Sequence, residues 1–547
     1  MGEGLSAPVR VLRWLGEPRN SVTLAKWLVA FLILVRLIAV FRFQHDIDES
    51  QNLHIVYGWI EGEIPYRDRF DNHAPLFAWM FAPLAWVIGE NPNIVIFARL
   101  ALFPFGLAGL YFIFRIAQKL ADREVAWWTV ALCLALADWS LKSVEFRPDV
   151  IWAMIWFGAL WLLVRRLDGI KWGDVAAVGG LLGIALLASI KTTLLVPSLG
   201  LACVMAVCFC PALQKQMPFP RALGFALIAF CGFLIPPVLG FGALIANGVE
   251  PAQIQFCLFE VNQSTFEPMR WAAAGGLLVA MAVVAAVIFR RGDFRAAITG
   301  ILFVSASTFL ILLLAMAPEV RKQTLLVAYP LLILLGLIFV RKFDRVGQIW
   351  RPIALAAWAA AFVHLAVESS LWRDGMSAQR QLLSQVLQLT DGDEYLFDGR
   401  GETIFAERPV YLAFVAITTD AVEDGRLDSP DPDSLVTAPT SVAIGSLDGL
   451  PKAYRRYLNA HYLLAADGGL RVSGLILKPS WKDGKWTQDV SIALPGSYVI
   501  VKNNVVVDDV NIIAAGPHTF DFGVDRTRGF LIWKEAWTDG FRPQNDG

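Results

Sequence analysis

The residues of this sequence best suited to chemistry lie in two short acidic segments. The first segment contains Asp48 and Glu49, and the second ends in Arg147-Pro148-Asp149 at the start of an apolar run. A carboxylate in such a place can act as a general base and remove the proton from a hydroxyl group. Two simpler explanations stay open, because a loop exposed to water is often acidic and Asp149 can cap a helix.

Basic side chains recur beside apolar runs elsewhere in the chain. Lys191 lies between two such runs, and His73 precedes a third. Arg321 and Lys322 precede a further one. A phosphate group at a membrane surface needs cations of this kind, with lysine acting as a point charge and arginine as a two-pronged donor. A lysine at a helix end can also simply extend towards water, so both explanations remain open.

Together, these carboxylates and cations fit one reaction at a membrane surface. An acceptor hydroxyl attacks the anomeric carbon of a sugar that is attached to a polyprenyl phosphate. A carboxylate accepts the hydroxyl proton, and the cations stabilise the charge that develops on the leaving phosphate. Displacement from the face opposite the leaving group would invert the anomeric configuration.

The elements that must position these residues follow from the composition. The chain has 547 residues, of which 56% are hydrophobic and only 17% are charged. A soluble protein carries about 25% charged residues, and the shortfall here lies between residue 24 and about residue 368. This stretch predicts a polytopic α-helical membrane protein. The candidate spans, about eleven in number, lie near 24–43, 94–114, 126–138, 149–164, 175–190, 193–210, 222–245, 271–289, 296–316, 324–340 and 352–367.

One further apolar stretch, Pro75–Gly89, is short for a span and contains Pro75 and Pro83. If it crossed the membrane, the basic clusters of every later loop would face outward, against the tendency of lysine and arginine to stay inside. We therefore expect it to lie on or dip into the outer interface, with the N-terminus inside and the C-terminus outside. The polar segments on the outer face are then 44–74, 139–148 and 246–270.

Beyond residue 368 the apolar runs shorten and turn signals become frequent. The pair Asn503-Asn504, between two strand-like stretches, marks a hairpin turn. A small antiparallel β-sandwich is the predicted end of the chain, after a mixed α/β segment. The net charge of −1 indicates no nucleic-acid partner. The predicted domains are 1–368 with the external loop 44–93, 369–470 and 471–547.

Three motifs, taken in order, resemble those of a known family. Asp48-Glu49 follows the first span, Tyr66–Leu76 reads YRDRFDNHAPL, and Arg147-Pro148-Asp149 opens a later span. The set resembles the GT-C glycosyltransferases, specifically the dolichyl-phosphate-mannose protein mannosyltransferases and the bacterial aminoarabinose (lipid A) transferases. The usual Pro-Pro-Leu is replaced by Ala74-Pro75-Leu76 here, and the resemblance covers roughly residues 30–340.

The resemblance implies a role for each candidate residue. Asp48 would be the general base, with Glu49 and Asp149 in supporting catalytic roles. His73, Lys191, Arg321 and Lys322 would bind the donor phosphate, and Tyr66, Arg67, Asp71 and Arg147 would contact the substrate. Some relatives bind a divalent metal, but no set of His, Asp or Glu in this sequence requires one, and we assign no metal ligand or other cofactor.

Partners and location are implied as well. The donor would be a polyprenyl-phosphate sugar, and the acceptor would be a glycan, a lipid or a protein hydroxyl of the cell envelope. The chain would be a multi-pass protein of the bacterial inner (plasma) membrane. Its N-terminus would be cytoplasmic and its C-terminal domain periplasmic or extracellular.

The main alternative is a transporter or flippase of lipid-linked glycans. Transporters place polar residues and broken helices near the membrane midplane. The predicted spans of this chain carry few acidic residues in their interiors, and the polar residues collect at the outer ends. This pattern favours chemistry at one interface. A simple membrane anchor for the β domain would need one span and not about eleven.

Overall fold

The structure is a computed structural model, which describes Trp14 and residues 16–262, 267–316, 320–344, 349–391, 394–428, 430–523 and 525–544. The chain has a helical part up to Ser369 and a C-terminal part that contains all of the described strands. The helices of the first part are α1 (Pro18–Arg42), α2 (Ile47–Ile60), α3 (Leu76–Ile88), α4 (Ile94–Leu120), α5 (Arg123–Ala135), α6 (Ala137–Lys142), α7 (Pro148–Arg165), α8 (Trp172–Ala188), α9 (Thr192–Phe209), α10 (Pro211–Gln216), α11 (Phe219–Ala246), α12 (Pro251–Gln255), α13 (Pro268–Phe289), α14 (Phe294–Met316), α15 (Tyr329–Phe343) and α16 (Trp350–Ser369).

Among the described residues, 8 helices are long and apolar enough to cross a membrane, namely α1, α4, α7, α9, α11, α13, α14 and α16. Each of the remaining predicted spans also coincides with a helix, because α5, α8 and α15 occupy those positions with 13, 17 and 15 residues. The predicted multi-pass architecture is therefore confirmed. The ambiguous stretch Pro75–Gly89 contains α3, whose 13 residues fall short of the roughly 20 that a span needs.

Backbone-to-backbone packing of α8 against α11 fixes the turn that follows α8. A Cβ on Gly179 would collide with the carbonyl of Ala229, and a Cβ on Gly232 would collide with the carbonyl of Ala176. Small residues allow this approach, and in a membrane such close contact replaces the hydrophobic effect as a source of helix association. The end of α8 is therefore held in place three residues before Lys191.

The C-terminal part contains two sheets. The larger has 7 strands in the order β1-β2-β4-β10-β7-β8, with β3 pairing to β4, and the smaller has 3 strands in the order β5-β6-β9. Ile492 of the small sheet is buried in one cluster with Leu477 and Ile500 of the large one. The predicted packing of antiparallel sheets is thus present. The strands are β1 (Leu396–Phe397), β2 (Val442–Ile444), β3 (Tyr462–Leu464), β4 (Leu470–Leu477), β5 (Ser480–Lys482), β6 (Lys485–Ile492), β7 (Gly496–Lys502), β8 (Val505–Ile512), β9 (Gly516–Asp521) and β10 (Gly529–Trp533).

The β7–β8 hairpin turns at Asn503 and Asn504, whose φ angles are 49° and 60°. Asparagine tolerates the left-handed region, so the predicted turn is confirmed. The predicted division between residues 470 and 471 falls inside β4, which pairs with β2, β3 and β10. The larger sheet therefore includes strands from both sides of the predicted division. The helices of this part are α17 (Ser377–Leu389), α18 (Ala416–Glu423), α19 (Ser434–Thr437), α20 (Lys452–His461) and α21 (Lys534–Thr538).

The connection to the C-terminal part packs directly on the segment that follows α1. The backbone N–H of Gly375 donates to the carbonyl of Arg42 at 3.0 Å, and that of His45 donates to the carbonyl of Gly375 at 3.2 Å. A Cβ on Gly375 would collide with the backbone of Gln44. The C-terminal part therefore sits against the chain just before Asp46 and Asp48.

Candidate active site

The first acidic segment starts a helix. The Asp46 side chain accepts the backbone N–H of Asp48 at 3.0 Å, and the Glu49 side chain accepts the backbone N–H of Asp46 at 3.1 Å. This reciprocal arrangement is a capping box, which satisfies N–H groups that the first turn of a helix leaves unpaired. It fixes Asp48 in the first turn of α2.

Glu49 is fully buried and joins three elements. Arg99 of α4 donates from Nε to Oε1 of Glu49 at 2.7 Å and also pairs with Oε2. The backbone N–H of Phe146 donates to the same Oε1 at 2.7 Å. Burial alone would raise the pKa of Glu49, but the charge and hydrogen bonds of Arg99, with smaller contributions from His45 and the N–H of Phe146, together outweigh it and lower the pKa. Glu49 thus positions the two acidic segments against each other and does not face solvent.

Arg147 lies at the centre of a group that we call the carboxylate cluster. It consists of three acids, Asp46, Asp48 and Glu145, and two cations, Arg147 and Lys142. Each side-chain nitrogen of Arg147 holds a different acid: Nη1 lies 2.6 Å from Asp48 Oδ2, Nη2 lies 2.7 Å from Asp46 Oδ1, and Nε contacts Glu145. Lys142 bridges Asp46 and Glu145 at 3.0 and 2.7 Å. Three carboxylates therefore share two cations.

The members of this cluster differ in access to solvent. The side chain of Asp48 is 25% exposed, whereas that of Arg147 is 5% exposed. Among the described residues, Asp48 accepts a side-chain hydrogen bond from Arg147 alone, through Oδ2. Burial tends to raise the pKa of Asp46, but Arg147 and Lys142 outweigh it and hold the pKa at about 2. For the enclosed Glu145, burial dominates and raises the pKa. Asp46 is as exposed as Asp48, at 26%, but both of its oxygens are engaged, whereas Asp48 keeps an oxygen without a side-chain partner in the described part of the chain.

Two cations form a second group, the cation pair Lys191 and His73, and each is held by a buried acid. Lys191 Nζ lies 2.6 Å from Asp149 Oδ1, and His73 Nδ1 lies 3.0 Å from Asp71 Oδ1. The cations are 33% and 31% exposed, whereas the two acids are 6% and 5% exposed. Burial tends to lower the pKa of His73, but the hydrogen bond with Asp71 and the charges of Asp71 and Asp48 together outweigh it and raise the pKa.

Tyr66 is a buried residue that fixes the backbone at His73. It is fully buried, has a φ of 72° and donates from its hydroxyl to the carbonyl of His73 at 2.6 Å. The hydroxyl of Tyr411, from the C-terminal part, donates to the carbonyl of Tyr66 at 2.7 Å. Tyr66 therefore positions His73 from beneath the surface.

The carboxylate cluster and the cation pair belong to one site. The charge of Asp48 acts to raise the pKa of His73, and the charge of Lys191 acts to lower it. These three side chains are therefore electrostatic neighbours, although they come from α2, the loop before α3 and the turn before α9. An accessible carboxylate thus lies beside two accessible cations, with buried partners behind both.

Two other candidates, Arg67 and Lys322, pair with acids outside these two groups. Arg67 pairs with Asp68 at 2.7 Å and donates to the carbonyl of Asn247 at 2.8 Å. Lys322 pairs with Asp138 at 2.8 Å. Arg321 directly precedes Lys322, at the start of the 3-10 turn Lys322–Val327.

The described residues contain no group of three or more His, Cys, Asp or Glu that could hold a metal ion. The carboxylates of Asp46 and Asp48 are instead engaged by Arg147 and Lys142. The side chains present therefore do not fit a metal, and we derive no step through one.

Sequence reasoning missed four members of the site, Asp46, Arg99, Lys142 and Glu145. One signal was available for Asp46, since an acid three residues before Glu49 and next to the end of a span has the spacing of a capping box. Lys142 and Glu145 stand three residues apart and flank the second acidic segment. Nothing in the local sequence pairs Arg99 with Glu49.

A comparison of the sequence with known families matches part of the chain. Residues 72–235 match the family model of dolichyl-phosphate-mannose-protein mannosyltransferase. This range contains His73, Arg147, Asp149 and Lys191 and begins after Asp48. No curated protein matches the chain.

Solved structures resemble the whole architecture. ArnT from Cupriavidus metallidurans bound to undecaprenyl phosphate is 16% identical with a TM-score of 0.52, over 83% of this chain and 97% of that chain. The apo state of that protein gives 16% identity and a TM-score of 0.53, over 82% and 97%. An oligosaccharyltransferase from Archaeoglobus fulgidus is 12% identical with a TM-score of 0.46, over 82% and 73%.

At 16% identity the likeness to ArnT establishes a shared fold. The family match adds sequence similarity over the part that carries the cation pair and the second acidic segment. The chain is thus similar in sequence to the dolichyl-phosphate-mannose-protein mannosyltransferase family over residues 72–235 and shares the fold of ArnT.

Proposed function

We propose that this chain transfers a sugar from a polyprenyl-phosphate donor to a hydroxyl group of a glycan, lipid or protein at the outer face of the membrane. The observation that carries the proposal is that two accessible, oppositely charged groups act on each other electrostatically. One is Asp48, which is held by Arg147, and the other is Lys191 with His73, which are held by Asp149 and Asp71. Such an arrangement suits an acceptor that loses a proton and a leaving group that gains charge.

The reaction is a single displacement. The acceptor oxygen forms a bond to the anomeric carbon of the sugar while its proton passes to the free carboxylate oxygen of Asp48. The bond between that carbon and the phosphate oxygen breaks, and its electron pair stays on the polyprenyl phosphate. Lys191 and protonated His73 stabilise this charge. Because the acceptor and the leaving phosphate lie on opposite faces of the sugar, the anomeric configuration inverts.

The buried residues set the geometry of this step. Arg147 fixes the orientation of Asp48, Glu49 and Arg99 join the two acidic segments, and Asp149 orients Lys191. A reacting group that is held in place needs no reorganisation when the reaction occurs. In this proposal the partly exposed side chains of Asp48, Lys191 and His73 contact the substrates, and the buried side chains position them.

The donor and the location rest on the comparisons. The ArnT structure contains undecaprenyl phosphate, which supports a polyprenyl-phosphate donor for the similar fold seen here. We further propose the bacterial inner membrane, with a cytoplasmic N-terminus and a C-terminal part on the outer side. The fold and the family match do not favour the transporter alternative.

The test is sugar transfer by the Asp48→Asn variant. Purified protein is given a panel of radiolabelled polyprenyl-phosphate sugars with a membrane extract as the acceptor. Asparagine can still accept the hydrogen bond from Arg147 but cannot take a proton, so transfer should fall by about 1,000-fold, within the range reported for general bases. Donor binding and thermal unfolding should remain near those of the wild type.

Asp483→Asn is the matched control. Asp483 is exposed at a turn in the C-terminal part with a φ of 51°, which asparagine also tolerates. Near-normal transfer by Asp48→Asn would show that Asp48 is not the base. An absence of transfer with every donor, together with passage of label across liposome membranes, would instead support the transporter reading.

A further inference from the structure

A cleft of about 340 Å³ lies where the C-terminal part meets the segment before Asp46. Its volume falls within the range of about 300–1,000 Å³ that is usual for small-molecule sites. Residues from both parts of the molecule line it, including His45, Ala378, Gln379, Glu402, Ser446 and Gly469. No residue of the mechanism described above lines this cleft.

Hydrogen bonds tie the walls of the cleft to the helix that carries Asp48. Gln379 of α17 donates to the hydroxyl of Ser50 at 3.1 Å and to the carbonyl of Glu402 at 2.9 Å. The hydroxyl of Ser50, on α2, lies 2.8 Å from Nε2 of His45. These hydrogen bonds therefore fix the position of the C-terminal wall of the cleft relative to α2.

The cleft also opens beside the proposed base. His45 directly precedes Asp46, and the charges of both Asp46 and Asp48 act on its pKa. The cleft is thus linked to the carboxylate cluster through His45, which precedes Asp46 in the chain and contacts Ser50 of α2. Ser50 can donate its proton to Nε2 of His45, which leaves Nδ1–H of the neutral ring as a donor for a ligand in the cleft.

The lining carries little fixed charge at neutral pH. None of its residues is lysine or arginine. Burial raises the pKa of Glu402 to about 7, and burial lowers the pKa of His45. What remains are amides, hydroxyls and backbone groups at glycines, which both donate and accept hydrogen bonds. An anionic ligand would need cations that the lining lacks, whereas sugar hydroxyls match this mixture.

We propose that this cleft binds an uncharged saccharide of the acceptor and presents one of its hydroxyl groups to Asp48. The proposal rests on the proposed function, since it names the acceptor class of the same site. It assigns the C-terminal part a direct role, because Gln379, Glu402 and Ser446 come from it. Saccharide binding itself requires no donor and no catalysis.

The experiment measures binding of soluble saccharides to the full chain in detergent by saturation-transfer-difference NMR. The probes are neutral oligosaccharides built from common hexoses and deoxyhexoses, their phosphorylated counterparts, and a hydroxyl-containing peptide. Ala378→Phe fills the cleft from an exposed position of α17, and Ser446→Phe fills it from the opposite wall. Ser384→Phe, an exposed position of α17 outside the cleft, is the matched control.

At least one neutral saccharide should bind the wild type, the Ser384→Phe control and the Asp48→Asn variant alike. Each filling variant should weaken that binding by at least about tenfold, close to 1.4 kcal/mol, with thermal unfolding unchanged in at least one of them. Absence of neutral-saccharide binding, preferred binding of the phosphorylated probes or the peptide, or unchanged affinity in a folded filling variant would overturn the proposal. Failure of sugar transfer with intact saccharide binding would count against the proposed function alone.

Discussion

The two ends of the helical part both carry ion pairs, but they use them differently. At the end away from the C-terminal part, the buried Arg351 of α16 pairs with the buried Glu124 of α5 at 2.6 Å, and the partly exposed Arg341 of α15 pairs with Asp122. Each of these arginines has its own acid. At the other end, Arg147 contacts Asp46, Asp48 and Glu145 at once, and Lys142 shares two of these acids.

The difference shows how the same residue types can serve structure or chemistry. A one-to-one pair commits both partners and joins two helices, and breaking it leaves a buried charge uncompensated. A shared arginine holds several acids and takes only one oxygen of Asp48, so the other oxygen of Asp48 keeps its acceptor capacity. Asp48, which is partly exposed, can therefore be oriented and still accept a proton.

After Asp48→Asn, the substitution that should lower catalytic activity most is Arg147→Lys. Lysine keeps the charge but cannot hold three carboxylates in fixed directions, so Asp48 loses its orientation. We expect kcat to fall by about 100-fold, the effect of a misplacement of roughly 1 Å, while the donor KM changes little. Steady-state kinetics with the active donor measure both values.

Arg426→Lys is the control, because Arg426 is exposed and pairs with the neighbouring Asp424. A rise in donor KM without a fall in kcat would place Arg147 on the donor and not behind the base.

A smaller effect is expected from the cation pair and depends on pH. The pKa of His73 is raised above its usual value of about 6.5 by Asp71 against the opposing effect of burial. Donor binding should therefore be strongest below the raised pKa and weaken as the pH rises through it. His73→Ala should raise the donor KM about tenfold, in line with a lost charge-assisted hydrogen bond of about 1.5 kcal/mol or more, and should remove this pH dependence.

The measurement is donor KM against pH for the wild type, His73→Ala and the control His518→Ala, which lies on β9 in the C-terminal part. The same alkaline rise in His73→Ala as in the wild type would show that another group titrates.

The smallest effect on activity is expected at the opposite end of the domain. Glu124→Gln leaves the buried Arg351 without its counter-charge, which should lower the free energy of unfolding by about 3–5 kcal/mol. Activity per folded molecule should stay unchanged. Thermal unfolding and specific activity are compared with the exposed control Glu250→Gln. Lost activity without lost stability would mean that the two ends are not functionally separate.

Much of the architecture was predictable because its signals are local. Apolar runs predicted the helices, and the Asn503-Asn504 pair predicted the β7–β8 turn. The sequence also predicted that the segments with Asp48, Asp149 and Lys191 meet on one face, since alternate loops of a multi-span chain share a side. Their residue roles stay predictions, which the experiments above address.

What escaped prediction depends on contacts between distant residues. The external loop was expected to be polar, yet α2 runs through it and residues 49–58 are buried. Glu49 tolerates this burial because Arg99, fifty positions later, neutralises it. The sequence pointed to a substrate contact for Arg67 and to a phosphate contact for Lys322, and both roles stay predictions. Their acidic partners in the structure, Asp68 and Asp138, follow from no spacing rule.

The three-way contact of Arg147 also constrains how this sequence can change over evolutionary time. A lineage that lost this arginine would have to accommodate three carboxylates at once, so the four positions behave as one inherited unit. The effects of substitutions at these four positions on the free energy of unfolding should be strongly non-additive, because residues that share a partner do not act independently. Gene shuffling between relatives should therefore succeed only when the segments containing residues 46–48 and 145–147 travel together.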